Sequence, residues 1–290
     1  MMCWEQTIHD LIIQASTDLP KDVEDVLRNA ATLECDGSPA ASAMDVILRN
    51  VRLARENRRP LCQDTGSLLF WVEAPAELQQ RAFRDAAESA VAAATEEGFL
   101  RQNSVDSLTG RNSGTNLGPG SPVIHWEETD REHVEVSLVL KGGGCENVGA
   151  QYALPNAELG AGRDLEGVRR CLLDAVHNAQ GKGCSPGVLG VCIGGDRATS
   201  YAESKRQLLR HLGQRSTAPE LAALEERVLG EANQLGIVPM GFGGATTILD
   251  VFIGCLNRIP ASFFVSISYM CWAFRRQRIC TDLSGRPLSD

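Results

Sequence analysis

Three cysteines stand in settings suited to chemistry. Cys62 lies in Pro60-Leu61-Cys62-Gln63-Asp64-Thr65-Gly66, which sets a soft thiolate, an amide and a carboxylate in a turn closed by glycine. Cys184 lies in Gly181-Lys182-Gly183-Cys184-Ser185-Pro186-Gly187, and Cys271 precedes Trp272-Ala273-Phe274-Arg275-Arg276. Each adjoins an apolar run that reads as a strand. The Cys-x-x-Cys pairs that mark zinc ribbons are absent, whereas thiolates offered singly from distant loops suit an iron–sulfur centre set deep in a fold. The alternative for each is a buried free thiol, because unligated cysteine packs as a small hydrophobe.

Other stretches carry polar chemistry. Lys141-Gly142-Gly143-Gly144-Cys145-Glu146-Asn147 follows an alternating run, and three glycines there leave backbone N–H groups able to approach an anion. The run lacks the terminal Gly-Lys-Ser/Thr of a Walker phosphate loop, and a bare glycine turn is its plain alternative. A second glycine loop is Pro239-Met240-Gly241-Phe242-Gly243-Gly244-Ala245-Thr246-Thr247. The long polar loop from Leu100 to Asn116 has the character of a site-lining segment. Arg101, at its start, offers either a planar fork to a carboxylate or an ordinary solvated charge.

The elements that must position these residues follow from periodicity. Two helices are expected between Glu5 and Glu34, separated by Pro20, and a third capped by Ser42 or Asp45. The spacing predicts further helices over Ala76–Glu97, Asp164–Gln180, Tyr201–Leu212 and Pro219–Leu235. Strands are expected at Ser67–Val72, Val188–Gly195, Ile248–Ile253 and Phe263–Ser268. His133–Lys141 alternates and reads as a half-buried strand. With no repeat of fixed period and no obvious linker, residues 1–290 read as one α+β domain. It is helix-rich, with a small mixed sheet and cluster-binding loops at strand ends.

The chain of 290 residues is 43% hydrophobic with a net charge of −9. That size buries a substantial core, and no basic stripe is present to neutralise nucleic-acid phosphates. Met1-Met2-Cys3-Trp4-Glu5 lacks the basic, apolar pattern of a signal peptide. The apolar stretch Ala261–Phe274 falls short of the roughly 20 residues needed to span a bilayer. A cytoplasmic protein with no membrane contact is expected, its ten cysteines reduced.

Four motifs in order carry a resemblance: Pro-Leu-Cys-Gln-Asp-Thr-Gly, Lys-Gly-Gly-Gly-x-Glu-Asn, Gly-Cys-Ser-Pro-Gly-x-x-Gly-x-x-Ile-Gly-Gly and Gly-x-Gly-Gly-x-Thr-Thr. Together they resemble the iron–sulfur hydro-lyases of the class I fumarase and L-tartrate dehydratase family. The ending Cys-Trp-Ala-Phe-Arg-Arg is similar to the tartrate dehydratase alpha subunit and the related two-subunit fumarases. The resemblance implies a [4Fe-4S] cluster held by Cys62, Cys184 and Cys271, with the fourth iron open to act as a Lewis acid on a substrate hydroxyl. Asp64, two residues from Cys62, suits proton work or hydroxyl orientation, and the resemblance implies substrate contact by Gln63, Asp64, Arg101, Gly143 and Gly144. Arg275 and Arg276 are additional candidates for carboxylate binding or cluster electrostatics. The remaining seven cysteines match no ligand position and are read as packing residues.

The implied reaction is reversible dehydration of a 2-hydroxy dicarboxylate, L-tartrate to oxaloacetate. The alternatives are malate–fumarate interconversion and a non-catalytic iron–sulfur protein. Single-chain relatives carry further active-site residues in a second domain, so a beta subunit is implied as the partner. Cys145 replaces a frequent serine and Cys192 a more usual glycine. Ile259, twelve residues before Cys271, replaces a frequent histidine.

Overall fold

The computed structural model describes residues 2–237 and 239–288. The α+β class is as expected, and the residues sort into two compact units, each built on a four-stranded mixed sheet. The first comprises residues 1–20, 50–143 and 273–290; the second comprises 21–49 and 144–272.

In the first unit the sheet order is β2-β1-β3-β8, from Val123–Glu128, Ser67–Ala74, Val134–Lys141 and Arg276–Thr281. β1 runs parallel to β2 and antiparallel to β3, and β3 is antiparallel to β8. One face of β1 (Leu68, Phe70, Val72) and of β3 (Val136, Leu138, Leu140) packs with apolar residues of α1 (Met2–Thr17) and α4 (Gln80–Glu96). Trp4 and Phe83 meet edge to face at its centre, as do Phe70 and Phe83. β3 is buried along its whole length, not half-buried as its alternation suggested. It is an inner strand, and its polar Glu135 is tolerated because Arg131 and Arg278 ion-pair with it.

The second unit has the order β4-β7-β5-β6, from Ala150–Ala153, Phe264–Met270, Gly187–Gly194 and Ile248–Leu256. β5 is parallel to β6 and antiparallel to β7, and β7 is antiparallel to β4. Each sheet therefore repeats one pattern: a strand just after a cysteine-bearing turn (β1 or β5), a parallel neighbour, an antiparallel neighbour and an outer antiparallel strand. The sequence shows no corresponding repeat. In the second unit β5 and β7 pack with α6 (Leu165–Ala179) and α8 (Pro219–Asn233). The outer edge of β6 is closed by side chains. Ile253 N–H donates to Glu225 (2.7 Å) and Ile248 N–H to Asn233 (2.8 Å).

Local chemistry explains the shifted helix limits. α3 spans Pro39–Asn57 and starts earlier than expected, because Ser38 Oγ accepts the Ala41 N–H (3.0 Å). α7 runs Arg197–Gln207 because Asp196 and Thr199 form a capping box. Asp164 caps α6 through the Gly167 N–H. Among the described residues no helix is long and apolar enough to cross a membrane.

Candidate active site

Gly66 governs the turn that bears Cys62. Its φ of +80° is the left-handed region, and any Cβ there would overlap the Lys141 carbonyl. That close approach seats the 62–65 turn against the end of β3. Asp64 Oδ2 then accepts the Gly143 N–H at 2.6 Å. Gly142 is needed for the same reason: a side chain would begin 3.0 Å from Asp64 Oδ2. The expected glycine loop is in fact the first turn of a short helix, α5 (Gly143–Asn147), and the Gly143 N–H is held by a protein carboxylate. The second glycine loop is similar, because Glu34 accepts the N–H groups of Ala245 (3.0 Å) and Thr246 (3.2 Å).

Around this turn Cys62 and Asp64 are half-buried, while Gln63, Arg101 and Gly143 are exposed. Arg101 reaches the turn through its backbone. Its N–H donates to buried Thr65 Oγ1 (2.9 Å), and Asn103 Nδ2 donates to the same oxygen (3.2 Å). Asn116 organises the polar loop behind it. Its Oδ1 accepts from Asn103 N (2.6 Å) and Ser104 N (3.2 Å), while Nδ2 donates to the Arg101 carbonyl (2.7 Å) and Thr95 Oγ1 (2.9 Å). Sequence reasoning missed Thr65 and Asn116 as positioning groups. The one available signal was the asparagine itself, a residue that tolerates the left-handed φ of +62° it adopts.

The second unit holds the other two predicted ligands. Cys184 is exposed and left-handed (φ 53°, ψ 55°), at the end of a 3₁₀ turn over Gln180–Gly183. Cys271 is buried just after β7, and Trp272 N–H donates to the Cys184 carbonyl (3.3 Å). Both cysteines neighbour Tyr269. Burial pushes that phenol well above its usual range, and the thiols of Cys271, Cys145 and Cys184 add to the effect. A side chain at Gly183 or Gly187 would overlap the Tyr269 ring, so these glycines let the Cys184 loop close on it. Gly144 lies on this side, its Cβ position 3.5 Å from the Lys182 carbonyl.

The packing role given to the other cysteines holds for buried Cys145, Cys171 and Cys192 but not for exposed Cys35 and Cys255. Ile259 is also exposed. A separate group, His133, Glu135 and Cys280, brings its ligand atoms within 4.8 Å of one another. Its carboxylate is already neutralised by Arg131 and Arg278, so we assign it to the ion-pair ladder of that sheet face.

Arg275 is the electrostatic anomaly. It is 1% exposed, and among the described residues neither Nε nor Nη1 has a hydrogen-bond partner. Its Nη2 lies 3.9 Å from the place where a Gly142 side chain would begin, beside Asp64. Desolvating a guanidinium without compensation is costly. In the first unit, a half-buried thiol at Cys62 beside this buried positive charge suits an anionic, thiolate-held group; in the second, exposed Cys184 is itself a thiol open to ligation.

The family model described as fumarate hydratase (Fumerase) matches residues 5–280. The chain belongs to this family of hydro-lyases. A relative in Geobacillus stearothermophilus, named putative fumarate hydratase class I, is 48% identical over 280 residues. The match covers 96% of this chain and 54% of that protein, so the chain spans about half of that relative's length. A Methanocaldococcus jannaschii protein named putative L(+)-tartrate dehydratase subunit alpha is 36% identical, covering 92% of this chain and 93% of its own. The protein named L(+)-tartrate dehydratase subunit alpha in Escherichia coli K12 is 31% identical, covering 94% and 90%. Within this fumarate hydratase family, the chain thus matches whole alpha subunits and part of a longer polypeptide.

Proposed function

We propose that this chain is the cluster-bearing, alpha-type part of a cytoplasmic hydro-lyase that reversibly dehydrates a 2-hydroxy dicarboxylate. The observation that carries the reading is the Asp64 carboxylate, fixed by the Gly143 N–H two residues after Cys62. Cys62, Cys184 and Cys271 would hold a [4Fe-4S] cluster. When bound, a cluster with only three protein thiolates supplies an open iron that acts as a Lewis acid toward a hydroxyl.

The chain's own residues do the rest. Asp64 Oδ2 is occupied by Gly143, which leaves Oδ1 to take or give the proton beside a substrate carboxylate. Exposed Arg101 supplies a planar fork for one carboxylate, its backbone pinned by Thr65. Gln63 and Gly144 offer neutral hydrogen-bonding groups, while the Gly143 N–H serves to hold Asp64. A second carboxylate needs cations beyond these. We assign them to a beta-type subunit, in keeping with relatives named as alpha subunits and with the unmatched half of the Geobacillus relative.

The 48% identity to a protein named fumarate hydratase favours malate and fumarate as the substrate pair. The whole-length match to proteins named tartrate dehydratase alpha subunits favours the second reading, L-tartrate to oxaloacetate. The test is anaerobic co-expression with a beta-type subunit, followed by turnover of L-malate and L-tartrate and counts of iron and sulfide. Consumption of one acid, abolished in Cys62→Ser, Cys184→Ser and Cys271→Ser, is expected. A full cluster with neither acid consumed would leave the non-catalytic iron–sulfur reading.

A further inference from the structure

Arg275 is a charged side chain with no described hydrogen-bond partner for two of its nitrogens, and it sits at the turn that bears Cys62. Its backbone is fixed on both sides: Leu140 N–H donates to the Arg275 carbonyl (3.0 Å), and Arg275 N–H donates to the Ala273 carbonyl (2.9 Å). Its Nη2 and Asp64 Oδ2 both lie within 4 Å of one point above Gly142. The guanidinium of the neighbouring Arg276 instead lies over the Phe274 ring, 5.0 Å from its centroid.

Burial limits what Arg275 can bind. A substrate clamp presents its guanidinium fork to solvent, yet Nε and Nη1 here are enclosed by protein. A fixed charge acts through the field it exerts on its surroundings, without needing contact, and a low-dielectric interior strengthens that field. Asp64 is two residues from Cys62, and two residues span at most about 7 Å. The guanidinium is therefore close enough to bias charge held at Cys62.

We propose that Arg275 is the buried counter-charge of the cluster site, a positioning residue that offsets the negative charge of the thiolate-held cluster and steadies Asp64 against Gly143. The proposal rests on the cluster reading above. It assigns to Arg275 an electrostatic role distinct from substrate binding.

The test uses the anaerobically loaded alpha–beta complex carrying Arg275→Gln, Arg275→Lys or Arg276→Gln. Iron and sulfide are counted, and reduction of the cluster is followed by electron paramagnetic resonance against a series of redox buffers. Loss of the positive charge disfavours adding an electron. Arg275→Gln is therefore expected to lower the reduced-to-oxidised ratio about tenfold at a given ambient potential, which corresponds to about 59 mV for one electron. Arg275→Lys keeps the charge and is expected to restore most of the ratio, with Arg276→Gln close to the parent.

An unchanged ratio in a fully loaded Arg275→Gln complex overturns the proposal. So does an unchanged ratio accompanied by a raised KM for the diacid, which would make Arg275 a carboxylate ligand. Should Arg275→Gln fail to load, loading and a parent-like ratio in Arg275→Lys support the charge argument; failure of both assigns Arg275 to packing alone. A parent complex without iron and sulfide removes the cluster reading itself, an outcome separate from any effect of the variants.

Discussion

Asp64 Oδ2 and the Gly143 N–H, 79 residues apart in sequence, are joined by a hydrogen bond of 2.6 Å. The bond orients the carboxylate and uses an N–H group that a glycine run would otherwise offer to an anion. A side chain at Gly142 would begin 3.0 Å from the same oxygen, so Gly142→Ala must push Asp64 aside. The backbone at Gly142 is not left-handed, so the fold should survive. Expected are a Tm within a few degrees of the parent and a fall in kcat of up to about a hundredfold, the lower end of what a positioned acid or base supplies. Parent-like kcat would show that the carboxylate's placement is unimportant.

Thr65 supports a different prediction. Its hydroxyl accepts from Arg101 N and Asn103 Nδ2, and valine keeps the shape without the acceptor. Orphaning these donors costs about 1–3 kcal/mol where they stay buried. Because the Arg101 segment loosens while Asp64 is untouched, Thr65→Val should raise KM several-fold with a smaller change in kcat. Steady-state kinetics on the alpha–beta complex separates the two.

The cysteines should divide by reactivity. Burial pushes the thiols of Cys171 and Cys192 up to about 12, so both stay protonated and inert to iodoacetamide at pH 8. Exposed Cys35, Cys184 and Cys255 should alkylate in protein stripped of iron. In loaded protein Cys184 should become protected while Cys35 and Cys255 still react. Mass spectrometry of the labelled peptides reads this out, and continued labelling of Cys184 in loaded protein would exclude it as a ligand.

Stability should depend on acid pH through an ion-pair network in the second unit. Arg169, by hydrogen bonding, holds the Glu166 carboxyl down at about 2, against 4.5 ordinarily. Arg169 also reaches Glu231 of α8 (2.6 Å), tying α6 to α8. A depressed folded-state pKa adds stability above the unfolded value, and this is lost as pH falls through the folded value. The Tm difference between the parent and Glu166→Gln should therefore be constant at neutral pH and shrink from about pH 4.5 toward pH 2. It should be small throughout, because Glu166 is solvent-exposed and screened. Thermal melts across that range provide the check.

Part of the site is legible in the order of residues. A cysteine, a carboxylate and a turn-closing glycine within five positions read as a reactive turn because their chemistry and spacing are local. The strands from Ser67 and from Val188 were likewise visible, since apolar runs bounded by glycine or proline punctuate themselves. β2, β4 and β8 were not recognised. They are short outer strands whose polar residues, such as Arg276, Gln277 and Arg278 in β8, break the alternation.

What the sequence by itself determined, then, is the local geometry: which turns form, where helices and inner strands run, and which side chains are chemically able to ligate or exchange a proton. Only the tertiary structure decided which of those groups meet. Asp64 finds Gly143 because Gly66 permits two backbones to touch, and Thr65 holds Arg101 across 36 residues. Arg275 loses its solvent in a segment that reads, letter by letter, as an ordinary basic pair. Burial and long-range hydrogen bonds depend on how strands are ordered in a sheet, and no window of sequence contains that order.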